Sequence, residues 1–487
     1  MRHAYAVAEI RRAEAQLAAG LPPGTLMDRA AAGIAAVCLR LLRRGPGVPA
    51  ARAVLLVGSG DNGGDALHAG ARLARRGVQV HALLLSSRVH EAGANAFRRA
   101  GGLVTDRMAV LDDADVVIDG IVGIGGSGGL REDGERAVRR AEAGSALLVA
   151  VDVPSGVDAD TGEVSGAAVH ADVTIVPGAL KPGLVVDPAA AYAGVLQVVD
   201  IGLDAVLKAP ALELLDAGDV AELMPVPPHE SDKYRRGVAG VVAGSDTYPG
   251  AAVLCTGGAI RGGAGMVRYV GPDHATQAVL AHWPEAVAGA GRVQARVVGP
   301  GVSDPSAVAE HVEHPEPVLL DAACTTLHHR VRGDALLTPH AGEMVSLLKT
   351  VGVEAERSDV EARRLHWARE AAARTGHVVL LKGSTTVVAT PDGRVRVNPT
   401  GTPWLATAGS GDVLAGLAGA LLARGLDAYD AGSAAAWVHG LAGRFASTGA
   451  STAAGKAAVG DRQVGRRSAP VSATQVLDAI PEVLRAL

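Results

Sequence analysis

The sequence predicts two consecutive α/β units, each a largely parallel sheet covered by helices. Three observations carry this expectation. Short β-branched runs alternate with helical patterns through both halves of the chain. Glycine-rich segments recur directly after the strands, where such sheets place their ligand loops. The alternation stops once, around residues 203–237, in a Pro-rich stretch that ends in charged residues, and then begins again.

In the first half, residues 54–57 read as a buried strand, 65–76 as a helix stopped by Gly77, and 78–85 as the next strand. Strands at 116–118, 147–151, 173–176 and 195–199 continue the series. In the second half the runs at 238–243, 266–270, 297–298, 318–320 and 378–381 read as strands. Residues 386–389 and 394–397 form a hairpin around Pro391-Asp392-Gly393. Ala-rich helices follow at 410–424, 428–447 and 472–486, and 448–469 reads as a mobile loop. The boundary is set at 215/216, giving domains 1–215 and 216–487.

Composition narrows the function. Of 487 residues 48% are apolar and 20% charged, a globular balance. The net charge of −5 leaves no global footprint for nucleic acid or a membrane, so any phosphate must be held by local loops. Cys38, Cys255 and Cys324 lie far apart and form no CxxC pair, which suits buried thiols in a reducing compartment. No signal-type apolar stretch and no membrane-spanning run is present. A cytoplasmic homo-oligomer is expected.

Five motifs carry chemistry. Asp61-Asn62-Gly63-Gly64-Asp65 lies between a strand and a helix, where free amides attract anions. Asp119 ends a strand and is followed by Gly123-Ile124-Gly125-Gly126-Ser127-Gly128-Gly129. Asp152 ends the next strand, and Pro154, Ser155 and Gly156 fix the turn behind it. A parallel sheet brings these three strand ends to one rim, and Asn62, Asp119 and Ser155 offer only oxygen ligands, suited to a hard or monovalent cation. In the second half Gly409-Ser410-Gly411-Asp412 opens a helix. Its amides form an anion hole, and Asp412 is placed to take a proton from an attacking hydroxyl. Lys382-Gly383-Ser384-Thr385-Thr386 ends a strand and can hold nucleotide phosphates, and His340 with Glu343 lies on the same rim. Gx4GK[ST] and GxSxG are both absent.

With these motifs the whole chain resembles the bifunctional NAD(P)H-hydrate repair enzymes. The first half is similar to the epimerase domain, a Rossmann-like three-layer sandwich, through residues 61–65, 119–129, 152–162 and Lys181-Pro182-Gly183. The second half is similar to the ADP-dependent dehydratase, a ribokinase-like α/β domain, through 244–254, 262–267, 299–301, 338–343, 382–388 and 408–416. The resemblance implies epimerisation of R- and S-NAD(P)H hydrate, and dehydration of the S form at the expense of ADP, giving NAD(P)H, AMP and phosphate. It implies K⁺ on Asn62, Asp119 and Ser155, and Mg²⁺ with ADP in the second domain. Residues 61–65, 123–129 and Asp152 match hydrate contacts in the first. In the second, Ala264, Gly301, His340 and Asp412 match substrate contacts, and Lys382 to Thr386 with Gly411 match nucleotide contacts. Asp152 and Asp412 are the expected catalytic residues.

Asp61 and Ala66 depart from the family's Asn-Asn-Gly-Gly-Asp-Gly, and 320–323 and 402–405 depart in the second half. The rival readings are a small-molecule kinase, a non-catalytic first half, and an NAD(P)-dependent oxidoreductase. The first-half motifs oppose the kinase, the retained Asn62, Asp119, Asp152 and Ser155 oppose decay, and the absence of a GxGxxG opposes the oxidoreductase.

Overall fold

The computed structural model describes residues 1–45, 47–126, 128–224, 226–449 and 468–487. It divides into two compact units. One holds His3–Ala211, and the other holds the described residues from Leu212 onward with Met1 and Arg2. The second unit therefore takes in 212–215, which the boundary expected at 215/216 gives to the first.

The chain opens with β1 (Arg2–Ala4), α1 (Val7–Ala18) and α2 (Thr25–Arg43). Then follow β2 (Arg52–Val57), α3 (Asp61–Ala74), β3 (Gln79–Leu84), α4 (Glu91–Arg99), β4 (Leu103–Thr105), β5 (Val116–Gly120) and α5 (Glu132–Glu142). β6 (Leu147–Val151), β7 (Val173–Pro177) and β8 (Val195–Val199) complete the first unit. Its sheet has the order β4-β3-β2-β5-β6-β7-β8, and every pair is parallel.

Strand pleating builds three layers. Ala53, Leu55 and Val57 of β2 join a core with α2, α3 and Phe97 of α4. Val54 and Leu56 point the other way, to Ala137, Val138 and Ala141 of α5. The order reverses between β2 and β5, so a crevice opens there at the strands' C-terminal ends.

The helix expected over 65–76 begins four residues earlier, at Asp61. Glycine propensity argues for a loop, but close packing decides. A Cβ on Gly63 would lie 2.4 Å from Gly58 O, and one on Gly58 would lie 1.8 Å from Ile121 O. The motif is thus the first turn of α3 rather than a segment ahead of it.

The second unit runs β9 (Leu212–Leu214), α6 (Ala217–Leu223), β10 (Val238–Val242), α7 (Pro249–Arg261), β11 (Met266–Val270), α8 (Asp273–His282) and β12 (Val287–Ala288). β13 (Ala295–Val298), β14 (Val318–Leu320), β15 (Ala335–Leu337), α9 (Ala341–Thr350), α10 (Arg357–Ala362), α11 (Arg364–Thr375) and β16 (Val378–Leu381) follow. The expected hairpin is β17 (Thr386–Ala389) with β18 (Val395–Asn398), antiparallel. α12 (Ser410–Ala423), α13 (Ala428–Thr448) and α14 (Ala473–Ala486) close the chain. Most of the loop expected at 448–469 lies outside the described residues.

The strand order is β9-β18-β17-β16-β15-β14-β13-β10-β11-β12. The strands from β10 to β16 are parallel to their sheet neighbours, apart from the β16–β17 pair. Here the order reverses between β10 and β13, which places a second crevice. α7 and α12 cross above it in close approach. A Cβ on Gly258 would lie 2.4 Å from Val413 O, and one on Gly416 would lie 2.0 Å from Cys255 O. Around them Ala, Val and Leu from α7, α12, α13 and α14 form the core. Cys38, Cys255 and Cys324 are all buried and unpaired, as expected. Among the described residues no helix is long and apolar enough to cross a membrane.

Candidate active sites

The first crevice holds a cavity of about 1010 Å³, lined by Glu14, the loop 58–62, Asp65, the Gly run and Asp152. That is the size class of nucleotide-like ligand sites, ~300–1,000 Å³. Asp61, Asn62 and Asp65 line it from the first turn of α3, while Gly63 and Gly64 are buried behind it. Gly123, Ile124, Gly125, Gly126, Gly128 and Gly129 follow β5, while Ser127 lies outside the described residues.

Asp152 follows β6 with φ = 74°, a left-handed backbone rare for a non-glycine residue. The conformation aims its carboxylate at the Gly run. Its Oδ2 accepts from Ile124 N at 2.8 Å, and its Oδ1 accepts from Lys181 Nζ at 2.5 Å. Lys181 is 1% exposed. A Cβ on Gly123 would lie 2.6 Å from Asp152 Oδ2, so glycine is required there. Asp65 is nearby with Oδ1 buried and without a hydrogen-bond partner. Burial, then Asp152, Asp61 and Glu14, push its carboxyl up to about 8. Asp65 therefore carries its proton at neutral pH.

Asp119 and Ser155 meet directly beneath this rim. Asp119 Oδ1 accepts from Ser155 Oγ at 2.7 Å, and its Oδ2 accepts from Ser155 N at 2.9 Å. Ser155 Oγ also lies 3.0 Å from Val122 O. Asn62, with its amide oriented to satisfy both ends, donates to Val151 O at 3.2 Å and accepts from Gly123 N at 3.3 Å. Burial pushes the Asp119 carboxyl up to about 6, against the pull of the Ser155 and Ile121 hydrogen bonds. No cationic side chain pairs with Asp119 among the described residues.

At the second crevice Gly409 caps α12 with φ = 87°, and Ser410, Gly411 and Asp412 form the first turn. Gly411 lies within this first turn, where a Cβ would make only ordinary contact with its neighbour. A Cβ there would lie 3.5 Å from Lys382 Nζ. Burial, then Asp321, raise the Asp412 carboxyl to about 7, with Lys382 opposing. Lys382 Nζ donates to Asp321 Oδ1 at 2.7 Å and lies 3.4 Å from Glu343 Oε2. Burial works against its charge, but Asp321 and Glu343 outweigh it and hold the ammonium above its usual range. Ser410 Oγ meets the buried His439 Nε2 at 3.2 Å, and burial pushes that imidazole down to about 4.

The structure gathers some predicted residues and separates others. Lys382 leaves β16 toward α12, Gly383 and Ser384 are exposed, and Thr385 and Thr386 are buried at the start of β17. His340 serves first as a cap: its Nδ1 accepts from Gly342 N at 3.0 Å and Glu343 N at 3.2 Å. Gly301 (φ = 68°) follows β13, and a Cβ on it would lie 2.6 Å from Ala251 Cβ. Ala264 sits elsewhere. It precedes β11, at the N-terminal edge of the sheet, and packs against the core. Ala251, at the start of α7, is the alanine on the rim.

Sequence reasoning passes over Glu14, which no motif marks, and Arg364. Arg364 donates from Nη2 to Lys382 O at 2.7 Å and Leu381 O at 3.3 Å, bracing the nucleotide loop. Asp321 appears in sequence only as a departure from the family pattern, yet it is the partner of Lys382 and of Thr338 Oγ1 (2.7 Å).

Comparison with known proteins follows the two units. Residues 23–183 match the family model described as YjeF-related protein N-terminus, and 239–459 match NAD(P)H-hydrate dehydratase. The chain is 46% identical over 505 residues to the bifunctional NAD(P)H-hydrate repair enzyme Nnr of Mycobacterium leprae, with 100% of each chain covered. It is 46% identical to the enzyme of that name from Mycobacterium tuberculosis, covering 88% of this chain and 91% of the relative. With that of Corynebacterium glutamicum it shares 36%, covering 87% and 88%. Among solved structures, an ADP/ATP-dependent NAD(P)H-hydrate dehydratase from Bacillus subtilis is 28% identical over 56% of this chain and 98% of its own, with a TM-score of 0.48.

Proposed function

The chain belongs to the family of bifunctional NAD(P)H-hydrate repair enzymes, and on that premise we propose how its two crevices divide the work. The enzyme repairs hydrated nicotinamide cofactor, epimerising the R and S forms and dehydrating the S form to NAD(P)H. The first unit, His3–Ala211, carries the epimerase, and the second, from Leu212 onward, the dehydratase. The observation that carries the division is that each crevice has its own carboxylate beside a lysine: Asp152 with Lys181, and Asp412 with Lys382.

In the first crevice Asp152 takes the proton of the substrate hydroxyl. A hydroxyl on the carbon next to the ring nitrogen is a hemiaminal, so its C–N bond then opens to an aldehyde. Rotation and reclosure on the other face, with the proton returned by Asp152, give the opposite epimer. Lys181 holds the Asp152 carboxylate in place, and the protonated Asp65 donates to a substrate oxygen. Glycines 123–129 and the first turn of α3 support the pyrophosphate. A monovalent cation fits Asn62, Asp119, Ser155 and Val122 O: the donors are all oxygen, and the one buried carboxylate lacks a cationic partner. When bound there, K⁺ would offset the Asp119 charge and steady the turn behind Asp152.

In the second crevice the β-phosphoryl of ADP passes to the hydroxyl of S-hydrate, and Asp412 takes the hydroxyl proton. The amides at the start of α12 stabilise the phosphoryl charge. Phosphate then leaves as the ring nitrogen pushes, a ring proton is lost, and the double bond re-forms; AMP is the second product. Lys382 meets donor phosphates, Gly383 to Thr386 and Gly411 shape the nucleotide loop, and Gly301, His340 and Ala251 face the hydrate. Mg²⁺, when bound, would be held largely by the donor phosphates and water. ADP is the donor in preference to ATP, since Lys382 is the single cation of its loop.

Two assays on separated epimers test the reading. With R-hydrate alone the enzyme interconverts R and S; with ADP and Mg²⁺ both convert fully to reduced cofactor. Loss of R-form conversion, or a higher kcat/KM with ATP than with ADP, overturns the corresponding half. A cytoplasmic, homo-oligomeric enzyme belongs to the same proposal. Its three unpaired buried thiols and the exposed Leu103 and Val104 of edge strand β4 support it, and sedimentation velocity checks the assembly.

A further inference from the structure

A second cavity of the dehydratase unit lies away from its crevice. It measures about 280 Å³ and opens on the other face of the sheet. Alternation along the strands shows this. Ala239, Val241, Val267 and Tyr269 point into the core with α7 and α12. Gly240, Val242, Arg268 and Val270, their neighbours, line the cavity instead.

Its wall is apolar and its mouth cationic. Arg268 and Arg296 reach in from β11 and β13, and His311 and His314 face them from the segment before β14. Arg296 is spoken for, through a 2.6 Å ion pair with Glu316. Arg268 is not: its Nη1 donates to Ala290 O at 3.3 Å, while its Nε is buried without a hydrogen-bond partner. No carboxylate pairs with Arg268 among the described residues. A buried Nε without an acceptor is left uncompensated for the water it loses, and the planar fork of a guanidinium is shaped for a bidentate oxyanion. Burial pushes the His311 imidazole below its usual range, against the pull of Glu310. Glu310, on the same rim, is largely exposed and turned toward His311.

We propose that this cavity is a binding site for a small organic anion, a carboxylate or phosphate on a short apolar body, held by the Arg268 guanidinium over a floor of Val242, Val270 and Val293. Its volume is at the lower edge of ligand sites, ~300–1,000 Å³, which excludes a nucleotide and admits a single ring or a branched chain. None of its residues belongs to either crevice, so the site is independent of the reaction assigned above.

The test uses two probes on the full chain: 4-fluorobenzoate by ¹⁹F NMR and inorganic phosphate by ³¹P NMR, each with ADP present to fill the dehydratase crevice. Saturable binding of 4-fluorobenzoate is expected, weakened about tenfold or more in Arg268→Gln, which removes the charge-assisted fork. Gly291→Ala is the second variant. Its added Cβ would lie 2.5 Å from Arg268 Cζ and displace the guanidinium without removing its charge. It too should lose binding, while both variants keep wild-type dehydratase kcat/KM. Binding of phosphate alone, lost in the same variants, would show a bare oxyanion site and overturn the apolar half of the proposal. Failure of both probes to saturate, or binding unchanged in both variants, overturns it entirely.

Discussion

Lys181 and Asp152 form an ion pair of 2.5 Å in which the lysine is sealed from solvent while the aspartate, held at φ = 74°, keeps one face open to the cavity. The pair holds the carboxylate aimed at the cavity, beside Asp65, whose carboxyl burial pushes up to about 8. Asp152→Asn is isosteric and should lower epimerisation ~10²–10⁴-fold, the usual cost of losing a general base. Lys181→Met should lower it as well, through misplacement of Asp152, with dehydration of S-hydrate unchanged in both. R-to-S conversion by chiral chromatography, less the spontaneous rate, measures this.

Asp412→Asn should reduce dehydration ~10²–10⁴-fold with epimerisation intact. Because burial holds the native carboxyl up at about 7, the neutral amide should also melt at or above the wild-type temperature. A stopped-assay rate within a factor of a few of wild type would remove Asp412 from the role of base.

The same elevation gives the dehydratase an acid limb. Asp412 acts when deprotonated, so kcat/KM for S-hydrate should fall as pH drops through about 7. Glu343 contributes to the elevation, so Glu343→Gln should move the limb to lower pH. ADP ionises alike in both proteins, so a limb that stays in place would assign it to the nucleotide.

K⁺ should stabilise the first unit in a pH-dependent way. The Asp119 carboxyl is raised from 3.8 to about 6 in the folded chain, so the native state binds more protons than the unfolded state between those values. Its ionisation therefore costs stability that is intact below the window and lost as pH rises through it. A bound cation offsets that loss only where Asp119 is charged. Replacing choline by K⁺ should raise the first unit's Tm by about 2–4 °C at pH 7.5, a ~1 kcal/mol effect, and by nothing at pH 4. Asp119→Asn should abolish the response.

The alanine on the dehydratase rim is separable from the one in the core. Ala251→Leu, beside Gly301, should raise KM for S-hydrate tenfold or more, since ~1–3 kcal/mol attaches to a methylene-sized misfit. Ala264→Val should leave KM alone and destabilise by ~1–3 kcal/mol through overpacking. Steady-state kinetics beside thermal melts distinguish them.

Much of this architecture can be read from sequence, because parallel sheets buried on both faces leave continuous apolar runs, and β6 and β8 match their runs residue for residue. Glycine-rich strand ends locate both crevices for the same reason. The start of α3 is misplaced because glycine there serves close packing rather than a turn, as at Gly63, whereas α12 begins at Ser410 as expected. The strand–helix pattern leaves α1 and α2 unassigned, so Glu14 is invisible at the cavity. Asp321 is hidden because its meaning depends on Lys382, sixty-one residues away. Ala264 is drawn to the rim by motif likeness alone; only the direction of β11 shows that the rim alanine is Ala251.

The glycine contacts between α7 and α12 reach beyond packing. α7 begins beside Ala251 and α12 beside Asp412, and the two helices are joined backbone to backbone at Gly258 and Gly416. They behave as the arms of a caliper whose pivot has no play. The gap between the jaw that feels the hydrate and the jaw that takes its proton is set at the pivot, about two turns from Ala251 and about one from Asp412. A shift of about 1 Å at a reacting centre costs ~10²-fold in rate, so the tolerance of the chemistry is written into two residues that never touch a ligand.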